Sequence, residues 1–265
     1  MMTRLAANLT MMFTDLPFLD RIDAAADAGF AAVECVSPYA HPAQEVAARV
    51  TARGLDFALF NMATGDWAAG ERGIAANPAR VEEFNANIAT ARDYASALGC
   101  PTLHLMAGKI PADADRAAWH ATLVDNIARA ADALAGDGIT LVLEPINTRV
   151  DMPGYFFDRT DAVLAVMDAV ARDNVKLLYD IYHMQIMEGD LARTIERLLP
   201  RIGHIQLADN PGRHEPGTGE INYGWLLPRI DALGYQGWIG CEYAPAAGTP
   251  GGTGAGLGWA REWLA

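Results

Sequence analysis

The chain has 265 residues, only three cysteines, and 33 acidic against 20 basic side chains, for a net charge of −13. Duplex nucleic acid and anionic membranes are bound through clustered Lys and Arg, so this balance excludes both as partners. No apolar run has the length of a membrane span or a signal-peptide core, and the odd set Cys35, Cys100 and Cys241 fits a reducing compartment. The expectation is a soluble cytoplasmic protein.

Short apolar runs alternate with longer Ala-rich amphipathic ones. In chain order the strand candidates are RLAANL (4–9), AAVECV (31–36), DFALFN (56–61), PTLHLMA (101–107), ITLVLEPI (139–146), VKLLYD (175–180), GHIQLA (203–208) and GWIGCEY (237–243). Helical patterns fill the gaps at 18–30, 42–54, 81–99, 117–138, 161–174, 190–203 and 223–234. Within the fourth, Leu123, Ile127, Ala130, Ala131 and Leu134 fall on one helical stripe. Gly29, Gly54, Gly99, Gly138 and Gly234 stand where left-handed helix stops are expected.

Such alternation favours parallel strands joined by right-handed crossovers, and the length is that of a closed barrel. A doubly wound open sheet would carry a glycine-rich phosphate turn after its first strand, and NLTMMFTDLPF (8–18) is not one. The sequence therefore predicts an α/β protein built as a single (β/α)8 TIM barrel over residues 1–265, its site at the C-terminal ends of the strands. The glycine-rich stretch 246–258 reads as a loose connection to a final short helix over 258–265.

Polar residues close four successive strands: Glu144, Asp180, Gln206 and Glu242. Neighbouring strands lie ~4.8 Å apart, so these side chains, at corresponding heights, converge on the barrel mouth. Crowded carboxylates cannot all stay ionised without a counter-charge. A divalent cation removes the conflict, and three carboxylates with an amide oxygen suit Mg²⁺ or Mn²⁺ better than Zn²⁺. No motif calls for an organic cofactor.

His183, three residues past Asp180, is placed to hydrogen-bond a substrate hydroxyl or carbonyl. A small anionic substrate would need a cation clamp. Arg213 in the loop after strand seven is the first candidate, with Lys109 after strand four and Arg72 in the strand-three loop as others. Trp67 and its neighbouring glycines read as a mobile flap, with Glu71 solvated upon it. Strand alternation turns Cys241 away from the site. His104 reads as a packed strand residue, Glu34 as a satellite with no partner in sequence, and His214 is left open.

At EPIN (144–147), YDIYHMQ (179–185), IQLADNPGRHEPGTGEINY (205–223) and GWIGCEY (237–243) the chain resembles the hydroxypyruvate isomerase family of the xylose-isomerase-like TIM barrels. GDWAAGERGIA (65–75) is similar to the family's segment too, and the likeness runs from ANLTMMF (7–13) to CEY. The resemblance implies that Glu144 and Glu242 are paired proton donor/acceptors, and that Glu144, Asp180, Gln206 and Glu242 occupy the superfamily's metal-ligand positions. It implies interconversion of hydroxypyruvate and tartronate semialdehyde (2-hydroxy-3-oxopropanoate) through an enediolate.

Relatives that epimerise keto sugars carry histidine in place of Gln206, which points to a metal weakly held or dispensable here. The same chemistry serves two rivals, a 2-oxo-tetronate isomerase and a keto-sugar epimerase. A DNA-repair nuclease on a related barrel would bring a histidine-rich zinc cluster and a basic face, against six scattered His and −13 here. A non-catalytic sugar-acid sensor would have no use for two opposed glutamates. Homo-oligomers are common among such barrels, and the sequence leaves one open.

Overall fold

The computed structural model describes residues 3–62, 64–248 and 250–264. Its strands are β1 (Arg4–Asn8), β2 (Ala32–Cys35), β3 (Asp56–Asn61), β4 (Thr102–His104), β5 (Thr140–Leu143), β6 (Val175–Asp180), β7 (Ile202–Leu207) and β8 (Trp238–Cys241). They pair in parallel and in chain order, and β8 closes onto β1. The helices are α1 (Phe18–Asp27), α2 (Ala43–Ala52), α3 (Val81–Leu98), α4 (Arg116–Ala135), α5 (Thr160–Val170), α6 (Ile181–Met187), α7 (Leu191–Leu198), α8 (Tyr223–Ala232) and α9 (Gly252–Gly256). The predicted barrel is thus the observed one.

Alternation along each strand sorts the side chains into two environments. Leu5, Ala7, Val33, Cys35, Phe57, Leu103, Leu141, Leu143, Leu177, Tyr179, Ile205, Leu207, Ile239 and Cys241 join the large apolar cluster shared with helical residues such as Ile22, Val46, Ile88, Ile127 and Val163. Cys241 does face the helices, and all three cysteines are buried and unpaired. The intervening positions face inward. Deep in the barrel they are apolar, as Leu59, Val142 and Leu178 pack together. Toward the strand ends the same parity becomes polar: Asn8, Glu34, His104, Glu144, Asp180 and Gln206, all buried.

All five predicted helix-stop glycines take positive φ. One helix is not among those predicted: the chain enters α6 directly from β6, because the Asp180 carboxylate caps it, accepting from the N–H groups of Tyr182 and His183 at 2.8 and 3.4 Å. The glycine-rich stretch is not loose throughout. It forms α9, and the helix expected over 258–265 reduces to a 3-10 turn, Leu257–Ala260, with Ala265 outside the described residues. Among the described residues no helix is long and apolar enough to cross a membrane.

Candidate active site

At the mouth of the barrel Glu144, Asp180, His183 and Glu242 each offer a ligand atom within 4.8 Å of the others. Glu144 directly follows β5, Asp180 ends β6, His183 sits in the first turn of α6, and Glu242 directly follows β8. Glu144, His183, Glu242 and Arg213 line a cavity of about 240 Å³ together with Gln206, His104 and Trp67, while Asp180 is fully buried. That is below the roughly 300–1,000 Å³ of pockets for drug-sized ligands, and suits a molecule of a few carbons.

Burial dominates the electrostatics. It raises Glu144 well above the usual carboxylate range, and the charges of Glu242 and Asp180 raise it further. Glu242 is pushed up to about 8 by burial, with Arg213 opposing and Asp180 and Glu34 adding. Asp180 is pushed up to about 6, again by burial first, with Arg213 opposing. Protons are thus held in this cluster near neutrality, so one carboxyl can act as an acid while its neighbour acts as a base.

Arg213 supplies the facing charge. Its Nη2 donates to Glu242 Oε2 at 2.9 Å and lies 4.0 Å from Asp180 Oδ2, while Nη1 is 3.6 Å from Asp151 Oδ1. Burial alone would depress its pKa, but Glu242, Asp180 and Asp151 hold it protonated. The loop that delivers it is organised by buried Asp209, whose carboxylate accepts from the backbone N–H groups of Gly217, Gly219 and Ile221 at 2.8–3.1 Å.

The donor set fits a cation. Glu144 Oε1, Asp180 Oδ2 and Gln206 Oε1 are buried acceptors without a hydrogen-bond partner. Such oxygens are costly to leave bare unless a cation or a ligand proton meets them. Gln206 is less level with the others than the sequence suggested. It pairs in register with Asp180 on one side but with Gly240 on the other, two residues short of Glu242.

Below this ring lies a network that sequence reasoning passed over. Glu34, fully buried, accepts from Asn8 Nδ2 at 2.9 Å and from Gln206 Nε2 at 2.7 Å, and its other oxygen is 2.7 Å from His204 Nε2. Gly240 makes room for it, since a Cβ there would overlap the Glu34 carboxylate. His104 is more than a packing residue. It lines the cavity with Nδ1 3.7 Å from Glu144 Oε2, and burial, then His204, lowers its pKa to about 3, so it stays neutral. Asn147 was also missed; its amide reaches His183 Nδ1 at 2.7 Å.

Two predicted substrate contacts are not brought to the cluster. Arg72 and Lys109 line a neighbouring pocket with Glu71 and Trp119 and are not among the residues lining the central cavity. The Arg72 guanidinium lies over the Trp67 ring at 3.8 Å, and Trp67 alone of the two reaches the cavity. Glu71 is not simply solvated: it pairs with Arg80 at 2.8 Å and accepts from Asp66 N–H at 2.6 Å, tying the Trp67 segment down. His214 bonds the Ala244 carbonyl at 2.7 Å, a local tie.

The family model described as xylose isomerase-like TIM barrel matches residues 22–263. The chain belongs to that family. Within it, a Cupriavidus necator protein named 2-oxo-tetronate isomerase is 54% identical over 99% of this chain and 99% of its own. The hydroxypyruvate isomerase of Escherichia coli is 46% identical over 97% and 98%. A crystal structure from Brucella melitensis, described as an AP endonuclease of family 2, superposes with a TM-score of 0.95 at 45% identity and full coverage of both chains.

Proposed function

We propose that this protein isomerises short 2-oxo acids bearing a hydroxyl at C3, interconverting hydroxypyruvate and tartronate semialdehyde by the paired work of Glu144 and Glu242. The observation that carries the reading is the pair itself: two buried carboxyls with raised proton affinity at one small cavity, beside a guanidinium. The names of the Cupriavidus and Escherichia relatives point to the same chemistry.

In this mechanism Arg213 exchanges part of its contact with Glu242 for the substrate carboxylate, which it can hold bidentately. One glutamate removes the C3 proton of hydroxypyruvate, and the C–H electrons move into the C2 carbonyl to give an enediolate. The other glutamate returns a proton to C2. The O3–H bond breaks and an O2–H bond forms, leaving an aldehyde at C3 and a hydroxyl at C2. Burial keeps bulk water from quenching the enediolate. Glu144, Asp180, Glu242 and the Gln206 amide oxygen are the groups that would hold a divalent cation, Mg²⁺ or Mn²⁺ by their hardness. When bound it would stabilise the developing oxyanion charge.

A four-carbon 2-oxo-tetronate is the second reading. The relative at 54% identity carries that name, and the apolar cavity wall of Met11, Met106 and Met152 could cover one further carbon. The nuclease name of the Brucella protein draws no support from this site. Its metal-competent cluster among the described residues holds a single histidine, and the chain's charge is −13. Assaying hydroxypyruvate beside 2-oxo-tetronates and D-ketoses tests the proposal. Turnover of the 2-oxo acids with the highest kcat/KM is expected; turnover of ketoses alone would defeat it.

A further inference from the structure

We propose that Asn147 is a positioning residue that keeps the proton of His183 on Nε2, so that His183 donates a hydrogen bond into the cavity and does not ligate a metal. Asn147 is fully buried just beyond Glu144, and its amide cannot be turned around. Its Oδ1 accepts from the backbone N–H groups of Val150 and Asp151 at 2.9 and 3.0 Å. Its Nδ2 lies 2.5 Å from Asp151 Oδ2 and 2.7 Å from His183 Nδ1. Reversal would set NH₂ against two N–H donors and a carbonyl against a carboxylate.

An amide nitrogen only donates, so His183 Nδ1 must accept. A neutral imidazole accepts at one nitrogen and carries its proton on the other, whereas an imidazolium would oppose N–H to N–H. The proton therefore sits on Nε2. That nitrogen lies 3.5 Å from Glu144 Oε1 and 3.7 Å from Asp180 Oδ2, within their field but beyond a good hydrogen bond. Arg213 Nη2 also stands 3.5 Å from Nε2, at the limit of a hydrogen bond; with Nε2 protonated that long contact is donor beside donor, and the short bond of Nη2 goes to Glu242 at 2.9 Å. The Nε2–H is left for an oxygen that enters the cavity His183 lines.

The consequence reaches the metal site. Of the four residues whose ligand atoms cluster within 4.8 Å, His183 offers no lone pair at Nε2, the nitrogen that faces the carboxylates. A cation would be held by oxygens alone. Which substrate oxygen receives the hydrogen bond rests on the isomerase reading, O2 of the enediolate being the one that gains charge; the tautomer itself does not rest on it.

The test is a long-range ¹H–¹⁵N spectrum of the full-length protein labelled at histidine, with His183 assigned by its loss in His183→Gln. It is recorded after chelation and again with saturating Mg²⁺. The expected pattern in both is a protonated Nε2 and a lone-pair Nδ1; a proton on Nδ1, or loss of the Nε2 proton when Mg²⁺ is added, overturns the proposal. Asn147→Asp keeps the acceptor toward Val150 and Asp151 but removes the donor. It should move the proton to Nδ1 or protonate both nitrogens, and lower kcat on hydroxypyruvate on the order of 10–100-fold with little change in KM. An unchanged spectrum and kcat in that variant would also overturn it. A correct wild-type spectrum without turnover of any 2-oxo acid would leave the tautomer standing and remove the isomerase reading instead.

Discussion

Glu144→Gln should stabilise the chelator-treated protein at alkaline pH while destroying its proton chemistry. Glu144, Asp180 and Glu242 all have raised pKa values, from burial first; the charges of Glu242 and Asp180 then raise Glu144, those of Asp180 and Glu34 raise Glu242, and that of Asp151 raises Asp180. A carboxyl raised in the folded state binds its proton more tightly there than in the unfolded chain. Its contribution to stability is full below the unfolded value and is lost as pH rises through the folded one. For Glu242 that window runs from 4.5 to about 8. At 1.36 kcal/mol per pH unit the whole rise is worth on the order of 5 kcal/mol. Glu144 is raised in the same direction, so Gln at 144 removes one carboxyl that must ionise while buried; relaxation around it leaves only part of such a figure as the return, ~1–3 kcal/mol. At ~2–4 °C per kcal/mol for a domain of this size, the variant should melt a few to about 10 °C higher near pH 8. Differential scanning calorimetry in chelator should show the wild-type Tm falling across that window, a flatter curve for Glu144→Gln, and recovery of the wild type on adding Mg²⁺. Parallel curves, or a variant that melts lower at pH 8, would refute the reasoning.

Other perturbations separate the parts of the site. Gly240→Ala forces a Cβ into the Glu34 carboxylate, and denaturant unfolding should record a loss of about 1–3 kcal/mol. Arg213→Lys replaces a planar fork with a point charge and should lower kcat/KM for hydroxypyruvate roughly 10–100-fold, the equivalent of one charge-assisted hydrogen bond. Lys109→Ala, outside the central cavity, should leave steady-state kcat/KM within about twofold, the margin of a surface change.

The barrel was legible because parity was. LVLEP and VKLLYD put Leu141, Leu143, Leu177 and Tyr179 on helix-facing positions, while their inward positions pass from Val142 and Leu178 to Glu144 and Asp180, so a change of polarity at the end of a strand marks the mouth. Glu144, Asp180 and Glu242 follow from that logic, whereas Arg213 was placed by its loop after β7 and the charge a small anion needs. Glu34 did not, because the groups that satisfy it come from β1 and β7, remote in sequence. Asn147 lay beside Glu144, but its meaning depends on a ring delivered by α6. That helix was itself hidden because Asp180 ends a strand and caps a helix at once. Lys109 and Arg72 were placed by loop position and charge alone, and neither fixes the direction in which a long side chain extends.

Isomerisation in D₂O tests the central claim most directly, by mass spectrometry of hydroxypyruvate recovered from wild type, Glu144→Gln and Glu242→Gln. The paired-glutamate account predicts carbon-bound deuterium with the wild type and none with either variant. Continued incorporation in both variants would contradict it.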